Sequence, residues 1–600
     1  MNIPRFISRL STPRGYLTLL TIVLLYGLAF RVKNPFIGDI LTMTFLFGSL
    51  SLSWNILGGY AGQFSLGHAG FFGIGAYTST LLLMRYHLNP WLGMIAGGVL
   101  AAIIGGLVFY PCFKLRGIFF CLATLAFNEV LKILAIHLRG LTGGAMGITI
   151  PFKAGLAHMM FRGKTGYMII SLSLMILMAL VTGVIEKSRF GYKLTALRED
   201  EDAAEMLGIN GSKCKLIASV ISAFFVGVLG TLYAHYTLLI DPESVFSVML
   251  SVEFALLSII GGLGNIIGPI LGAFLLIPLD SLLRGYLGGT QQGFSFFAYG
   301  TLLIVVVLFL PRGIMDWLSK PLSRLFKSLP EIVRPKEEGL LEKAEVVPRM
   351  ASLGQDSPLL EIRGLSKSFG GLQAIKKLDI TIRQGEIVGL IGPNGAGKTT
   401  LFNLITGFYS PDGGTITFKK EEITGLRPPN KICKRGIGRT FQIVKPFGGL
   451  SVMDNVVAGA VERAPSINEA KQKSLDIIDF VGLGKFLNMK ARSLTLEGRK
   501  RMELARALAT DPELLLLDEV MAGLNPREIE ETIKLIRNIS QRGVTILVIE
   551  HVMKAIMSLS DHIVVIHHGE KIFEGKPQEV IKDEKVIKAY LGRGYGYVER

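Results

Sequence analysis

At 600 residues the chain is too long for one ordinary soluble domain, and half of its residues are hydrophobic, with a mean hydropathy of +0.46. The formal net charge is +17, but no lysine and arginine run is interleaved with aromatic residues as strand-binding surfaces require. Basic cytoplasmic loops beside anionic lipid explain such a charge better, so composition favours a membrane protein over a nucleic-acid-binding protein. The four cysteines form no CxxC pair, which argues against a metal site or a disulfide framework.

The N-terminal half predicts a polytopic α-helical membrane domain of about ten spans. Its first apolar run, from Tyr16 to Phe30, follows several arginines and has no small-residue cleavage site after it. We therefore interpret this run as a first span with a cytoplasmic N-terminus, and not as a signal peptide. The other predicted spans begin near Phe36, Leu66, Trp91, Gly117, Gly166, Lys215, Val245, Leu263 and Phe294.

The distribution of charge supports an even number of spans with both ends of this domain in the cytoplasm. That number places the basic connections on the cytoplasmic side, as the positive-inside rule expects; they are Lys114 with Arg116, the loop 186–215 and the tail after 311. The loop 139–164 then lies on the extracytoplasmic side.

Polar and small residues within the predicted spans have structural and functional interpretations. Glu129 and Lys132 are three residues apart and are expected to neutralise each other. Glu253 has no obvious local partner, so a transport role and a wet structural crevice both stay open. His68 and His235 are more typical of single structural hydrogen bonds. Spacings that favour close helix packing occur at Gly93…Gly97, Gly264…Gly268 and Gly268…Gly272.

The apolar periodicity ends near residue 320, where scattered charges and several prolines indicate a connector. We predict a transmembrane permease domain at 1–319, a cytoplasmic linker at 320–358 and an α/β nucleotide-binding domain at 359–600.

A phosphate-binding loop follows the strand-like run 386–391. Residues 392–400 read GPNGAGKTT, the G-x-x-x-x-G-K-[ST] pattern in its expected position after a strand. The glycines let backbone N–H groups surround phosphate oxygens at a helix N-terminus, while Lys398 reaches the β- and γ-phosphates and Thr399 ligates Mg²⁺. The predicted nucleotide contacts in this loop are Gly392, Asn394, Gly395, Ala396, Gly397, Lys398, Thr399 and Thr400.

Two carboxylates end a second strand-like run, 514–519, which reads LLLLDE. A continuous apolar run that ends in acids is typical of a buried parallel strand with carboxylates at its C-terminal end. Asp518 is expected to hold Mg²⁺ through water, and Glu519 is expected to act as general base on the attacking water. The alternative interpretation is a buried strand followed by ordinary surface acids.

With these two motifs, the second half resembles the ATPase domains of ABC transporters across its whole length. Gln442, in the sequence RTFQ, matches the Q-loop glutamine, which implies contact with Mg²⁺ and water and communication with the membrane domain. His551 matches the switch histidine, which implies contact with the γ-phosphate. Phe369 matches the aromatic residue that stacks on adenine. Residues 522–526 match the D-loop, with Asn525 where many of these ATPases have aspartate.

The signature motif departs most from the family pattern. ABC ATPases usually read LSGGQ at this position, whereas residues 494–498 read LTLEG. The resemblance implies that Thr495 and Gly498 close over ATP bound to the other ATPase of the complex. Thr495 still offers a hydroxyl and the helix N-terminus still offers backbone donors. Glu497 would repel a γ-phosphate unless it points away, so a weakened composite site is expected.

Residues from about 15 to 320 resemble the permeases of branched-chain amino-acid importers, the Liv family of ABC transporters. The most recognisable stretch is 58–77, which reads GGYAGQFSLGHAGFFGIGAY, and 261–265 reads GGLGN. Residues 198–208 echo the importers' Glu-Ala-Ala-x-x-x-Gly loop, with Asp202 in place of glutamate. The resemblance implies that this loop forms a short helix that docks near the Q-loop; a solvated charged connector is the alternative.

The two resemblances imply ATP-driven import of branched-chain amino acids across a prokaryotic cytoplasmic (inner) membrane. ATP and Mg²⁺ are the implied cofactors, and the ATPase domain lies in the cytoplasm. One chain supplies one permease and one ATPase, so it pairs with itself or, as the family does, with a sister permease and a sister ATPase. The amino acid is expected to arrive on an extracytoplasmic solute-binding protein, and no nucleic acid is expected as a partner.

Three alternatives stay open. The same mechanism could carry urea, short amides or another small polar solute, and the sequence does not place the cargo pocket. An ATP-driven exporter predicts about six long spans and no coupling loop of this kind. A non-transporting membrane ATPase regulator would be favoured if Glu519 or Lys398 were missing, and both are present.

Overall fold

The computed structural model describes residues 13–287, 300, 301, 304, 308, 313–318 and 358–591. By their contacts the described residues form two compact units, one within 1–195 and 212–334 and the other within 196–211 and 335–600. A short segment of the first half of the sequence therefore belongs to the second unit. The predicted linker, apart from its last residue, and most of the predicted tenth span lie outside the described residues.

The first half of the chain is helical, as predicted. Its described helices are α1 (Pro13–Arg31), α2 (Pro35–Asn55), α3 (His68–Tyr86), α4 (Pro90–Cys112), α5 (Ile118–His137), α6 (Arg139–Thr142), α7 (Lys164–Glu186), α8 (Arg189–Glu199), α9 (Glu201–Met206), α10 (Gly211–Thr237), α11 (Pro242–Val245), α12 (Val248–Gly261) and α13 (Ile267–Leu287). Two short strands, β1 (Ile148–Thr149) and β2 (Leu239–Ile240), pair antiparallel between them.

Seven segments of the described residues are long and apolar enough to cross a membrane. They are Pro35–Tyr60, Pro90–Cys112, Ile118–His137, Lys164–Glu186, Gly211–Thr237, Pro242–Gly261 and Ile267–Gly285. The N-terminal helix α1 has a shorter apolar stretch, and α3, which is largely buried, is not among the seven. Helices thus begin close to each predicted span start within the described residues; the predicted start near Phe294 lies outside them.

Local sequence sets where several of these helices begin. Asn34 precedes Pro35, and its side-chain oxygen accepts a 2.9 Å hydrogen bond from the N–H of Phe36. Asn89 precedes Pro90 and caps α4 through the N–H of Trp91 in the same way. An asparagine cap followed by proline satisfies a free N–H group and presets the first helical residue, so both helices start at these positions.

Glycines bring three of these helices into close contact. A Cβ atom on Gly75 of α3 would lie 1.9 Å from the carbonyl oxygen of Gly227 on α10. A Cβ atom on Gly97 of α4 would lie 3.0 Å from the backbone of Gly75. Helix backbones can approach this closely only where side chains are absent, which confirms the structural interpretation of Gly97.

Several polar groups of the membrane unit pair with one another. The buried ring of His68 lies 3.1 Å from the Ser65 hydroxyl and 2.9 Å from the Ser222 hydroxyl, so this histidine makes two structural contacts instead of the one expected. Glu129 and Lys132 form the predicted ion pair at 3.1 Å. These contacts offset the cost of placing polar side chains among apolar helices.

The second unit is the predicted α/β domain, with a six-stranded and a four-stranded sheet. The strands are β3 (Pro358–Phe369), β4 (Leu372–Arg383), β5 (Ile387–Ile391), β6 (Gly413–Phe418), β7 (Glu421–Glu422), β8 (Ile437–Arg439), β9 (Leu514–Asp518), β10 (Thr545–Ile549), β11 (His562–His567) and β12 (Glu570–Gly575). The six-stranded sheet has the order β12-β11-β5-β10-β9-β8, and the four-stranded sheet has the order β4-β3-β6-β7.

The central strands β5, β9 and β10 run parallel and are buried along their whole length. Their carboxyl ends therefore meet at one edge of the sheet, where ligands of such folds bind. The helices around the sheets are α14 (Lys398–Ile405), α15 (Pro429–Arg435), α16 (Val452–Ala460), α17 (Ile467–Phe480), α18 (Leu496–Leu508), α19 (Pro526–Gln541), α20 (Met553–Leu559), α21 (Pro577–Val580) and α22 (Glu584–Leu591).

The glycine contacts generate a stability prediction. We expect Gly75→Val to lower the apparent melting temperature of the detergent-solubilised chain by several degrees, because overpacking costs about 1–3 kcal/mol. Gly27→Val is the matched control, since a Cβ atom on Gly27 meets nothing within 4 Å. Equal melting temperatures for the two variants, measured by size-exclusion chromatography after heating, would contradict the close helix approach.

Candidate nucleotide-binding site

The phosphate-binding loop joins β5 to α14 and needs its glycines. Gly395 and Gly397 have φ angles of 79° and 104°, in the left-handed region that favours glycine. A Cβ atom on Gly397 would also lie 2.5 Å from the carbonyl oxygen of Ala374. The loop can therefore turn sharply into α14, whose first backbone N–H groups have no acceptor within the helix.

Lys398, the first residue of α14, extends back along this loop. Its Nζ atom donates hydrogen bonds to the carbonyl oxygens of Gly392 and Pro393, at 2.6 and 3.0 Å. Burial lowers the pKa of Lys398, and the nearby carboxylates of Glu519 and Asp518 oppose that effect. The ammonium group thus contacts the loop and lies close enough to the carboxylates of Asp518 and Glu519 to interact with their charges.

A cavity of about 600 Å³ opens above the loop. It brings together most of the residues predicted from the sequence, which come from strands and loops far apart in the chain. Its lining includes Phe369, Asn394, Gly395, Ala396, Gly397, Lys398, Thr399, Thr400, Gln442, Glu519 and His551.

Phe369 lies at the mouth of this cavity. Its ring is 42% exposed and packs edge-on against Tyr409, with 5.2 Å between ring centroids. An aromatic face held at a cavity mouth can stack on a planar base, as the sequence predicts for this position.

Asp518 ends β9 beneath the cavity and is almost completely buried. Its Oδ2 atom accepts a hydrogen bond of 3.2 Å from the guanidinium group of Arg439. Its Oδ1 atom has no hydrogen-bond partner among the described residues. Burial raises the pKa of Asp518, and the Arg439 charge opposes that rise. One carboxylate oxygen is therefore fixed while the other can accept a further ligand.

Glu519 and His551 come from the ends of neighbouring parallel strands and contact each other. The Nε2 atom of His551 lies 2.8 Å from the Oε1 atom of Glu519. Glu519 has a φ angle of 51°, which is unusual for a residue with a side chain and is typical of functional sites. The N–H of Glu519 donates to the carbonyl oxygen of Ile549, which fixes this conformation.

The signature residues lie away from this chain's own cavity. Thr495 caps α18 by accepting a 3.2 Å hydrogen bond from the N–H of Gly498, and neither is among the described residues that line the cavity. Glu497 pairs with Arg501 at 2.5 Å, one helical turn further on. The structure thus gives Glu497 a neutralising partner within its own helix.

Three charged residues of the site were given no role by sequence reasoning. Arg439 holds Asp518, as described above. Lys500 donates to the carbonyl oxygens of Glu519 and Ala522, at 3.0 and 2.6 Å, and so links α18 to the catalytic strand end. Glu550 accepts from the N–H of Met521, and burial raises its pKa to about 7. A charged residue inside a buried strand is the signal that marks Arg439 in the sequence.

The predicted coupling loop forms α9, and its segment 196–211 belongs to the second unit. Asp200 caps this helix by accepting from the N–H of Ala203, and Ala203 and Ala204 are buried. Lys445, which follows Gln442 by three positions, lies 3.2 Å from Asp200. The loop is therefore a folded element beside the Q-loop and not a solvated connector.

The groups around the cavity fit a nucleotide with bound Mg²⁺. A Cβ atom on Gly395 would meet nothing within 4 Å, so the loop leaves space for phosphate. The orphaned Oδ1 atom of buried Asp518 is the oxygen ligand that a hydrated Mg²⁺ ion prefers. Thr399 lies in the same cavity lining and offers a hydroxyl oxygen.

Comparison with known families agrees with this geometry. Residues 36–306 match the permease component family of branched-chain amino acid transport systems, and residues 375–522 match the ABC transporter family. Residues 570–596 match the branched-chain amino acid ATP-binding cassette transporter family. Both halves of the chain are thus similar to components of branched-chain amino acid transport systems.

Individual relatives match the second half over almost their whole length. The high-affinity branched-chain amino acid transport ATP-binding protein BraF of Pseudomonas aeruginosa is 40% identical over 251 residues, which are 39% of this chain and 98% of that protein. The corresponding protein LivG of Escherichia coli is also 40% identical, with the same coverage. A solved nucleotide-free cassette from an ABC transporter is 29% identical, with a TM-score of 0.37, and covers 39% of this chain and 100% of that chain.

The contact between Glu519 and His551 generates a catalytic prediction. We expect Glu519→Gln to retain ATP binding but to lower steady-state hydrolysis at least about 100-fold, because the amide cannot accept the proton of the attacking water. Binding is measured with a fluorescent ATP analogue and hydrolysis by phosphate release from the purified complex.

The control for this prediction is Glu530→Gln, at an exposed position on α19, which should hydrolyse ATP at the wild-type rate. Hydrolysis near the wild-type rate in Glu519→Gln would show that another group is the base or that a second ATPase carries the activity.

Proposed function

The chain belongs to the branched-chain amino acid ABC transporter family, and we propose that it couples ATP hydrolysis to import of branched-chain amino acids across a prokaryotic cytoplasmic membrane. The observation that carries this proposal is that one chain contains both a permease region and an ATPase unit. A permease-family region with spanning helices precedes an ATPase unit whose cavity gathers Lys398, Glu519 and His551.

The residues that the sequence predicts for the nucleotide site each have a proposed task. Backbone N–H groups of residues 394–400 and the Lys398 ammonium bind the phosphates, and Phe369 stacks on the adenine. Thr399, Gln442 and Asp518 are the proposed Mg²⁺ ligands, with Asp518 acting through water. When bound, Mg²⁺ neutralises charge on the phosphate oxygens.

Glu519 is proposed to accept the proton of the attacking water, and His551 is proposed to contact the γ-phosphate. The observed contact between the two side chains supports a joint role, because a base is efficient only when a second group fixes its orientation. The strained backbone of Glu519 further limits where its carboxylate can point.

The functional complex is proposed to contain two ATPase domains and two permease domains. Thr495 and Gly498 are proposed to close over ATP held by the second ATPase, since they lie outside the lining of this chain's cavity. The second permease domain and the second ATPase domain come either from another copy of this chain or from sister subunits. Closure of the ATPase pair then moves the coupling segments and switches access in the membrane domain. An extracytoplasmic solute-binding protein is proposed to deliver the amino acid.

Uptake of labelled leucine tests the proposed function. Cells that express the chain with its genomic neighbours should take up leucine, and unlabelled isoleucine and valine should compete. Lys398→Ala should abolish uptake, because the lost ammonium leaves the phosphate charge without its partner.

Urea is the competitor that separates the cargo alternatives. Entry of labelled urea that depends on Lys398, without uptake of leucine, would retain the ATP-driven importer and contradict the branched-chain cargo. Leucine uptake that persists in Lys398→Ala would contradict the role of this ATPase site.

A further inference from the structure

The coupling segment, residues 196–211, contacts the ATPase unit through its acidic side chains. The Nζ atom of Lys445 lies 3.2 Å from Oδ2 of Asp200 and 3.5 Å from Oδ2 of Asp202. The N–H of Gly449 donates a 3.0 Å hydrogen bond to the carboxylate of Glu199. Lys445 is thus the cation that two carboxylates of the segment share.

Phe441 connects Lys445 to a second cation. The Lys445 ammonium lies 5.1 Å from the centroid of the Phe441 ring, and the Arg439 guanidinium lies 5.5 Å from the same centroid. Both distances are within the range in which a ring face attracts a cation. The N–H of Phe441 donates to the buried carboxylate of Glu503 at 3.0 Å, which fixes the backbone beneath the ring.

Arg439 connects Phe441 to Asp518 at the nucleotide site. Its side chain is 3% exposed, and it donates to Asp518 at 3.2 Å and to Asn403 at 2.6 Å. A buried carboxylate that loses its ion-pair partner is strongly destabilised, so a displacement of Arg439 is expected to move the Asp518 carboxylate with it. Asp518 uses one oxygen for this ion pair, and its other oxygen has no partner among the described residues.

We propose that Lys445, Phe441 and Arg439 are positioning residues that transmit the placement of the coupling segment to the carboxylate of Asp518. The proposal deepens the proposed function and rests on it in one respect, the assignment of Asp518 to Mg²⁺. When Asp200 and Asp202 move, Lys445 moves with them. The Phe441 ring then shifts against Arg439, and Arg439 reorients the Asp518 carboxylate. None of the three is among the described residues that line the cavity.

The Mg²⁺ concentration that half-saturates ATP binding is the readout, because it reports on Asp518 and needs no knowledge of the cargo. It is measured by titrating Mg²⁺ into the purified full-length chain with a fluorescent ATP analogue. We expect Phe441→Leu and Lys445→Met to raise this concentration about threefold or more, since each removes a cation–ring contact. ATP binding without Mg²⁺ should not change.

Two matched variants separate positioning from loss of structure. Lys445→Arg keeps the charge and should retain the wild-type Mg²⁺ dependence. Phe480→Leu removes another ring that contacts an arginine, Arg542 at 3.8 Å, where α17 and α19 end, and should also behave as wild type.

The outcomes decide the proposal. An unchanged Mg²⁺ dependence in both Phe441→Leu and Lys445→Met would overturn it, and so would an equal shift in Phe480→Leu. A shift in Lys445→Met alone would overturn the route through Phe441. The Mg²⁺ titration does not depend on which solute is transported. Failure of leucine uptake would therefore contradict the cargo assignment without affecting the proposed role of Lys445, Phe441 and Arg439.

Discussion

The buried ion pair between Arg439 and Asp518 is the interaction on which the ATPase unit depends. Both side chains are almost fully buried, and the guanidinium is surrounded by the rings of Phe402, Phe408 and Phe441. Two buried charges are tolerated only when each satisfies the other, so this pair fixes the end of β9. The positions of Glu519 and of the residues that contact it follow from that strand end.

The parallel sheet explains why residues from distant parts of the chain meet in the cavity. The parallel strands β5, β9 and β10 end at one edge, so the phosphate-binding loop, the two acids and His551 meet although the chain separates them widely. The coupling segment adds charged contacts on the Lys445 side of the same unit. The coupling segment is thus connected to Asp518 through the contacts of Lys445, Phe441 and Arg439.

Local patterns of the sequence predicted much of this arrangement. Apolar runs of spanning length located the described membrane helices, and the strand-loop-helix pattern around Lys398 located the phosphate-binding loop, because both depend on neighbouring residues only. The acids at the end of β9 could be placed for the same reason.

Contacts between residues distant in the chain could not be predicted. Arg439 and Asp518 are 79 positions apart, and Lys445 and Asp200 are 245 positions apart, so no local periodicity pairs them. The direction of Glu497 was also open, because a charged side chain near the surface can be solvated or can form an ion pair, as it does here with Arg501. The pairing of His68 with two serines depends on the packing of separate helices.

The direction of transport tests the central claim, ATP-driven import, most directly. The complex is reconstituted in vesicles with its ATPase domains outward, and the lumen is loaded with labelled leucine and the binding protein. The account predicts that ATP added outside releases lumenal leucine, since the lumen corresponds to the extracytoplasmic side. ATP-dependent accumulation of leucine in the lumen, or movement that is independent of ATP, would contradict it.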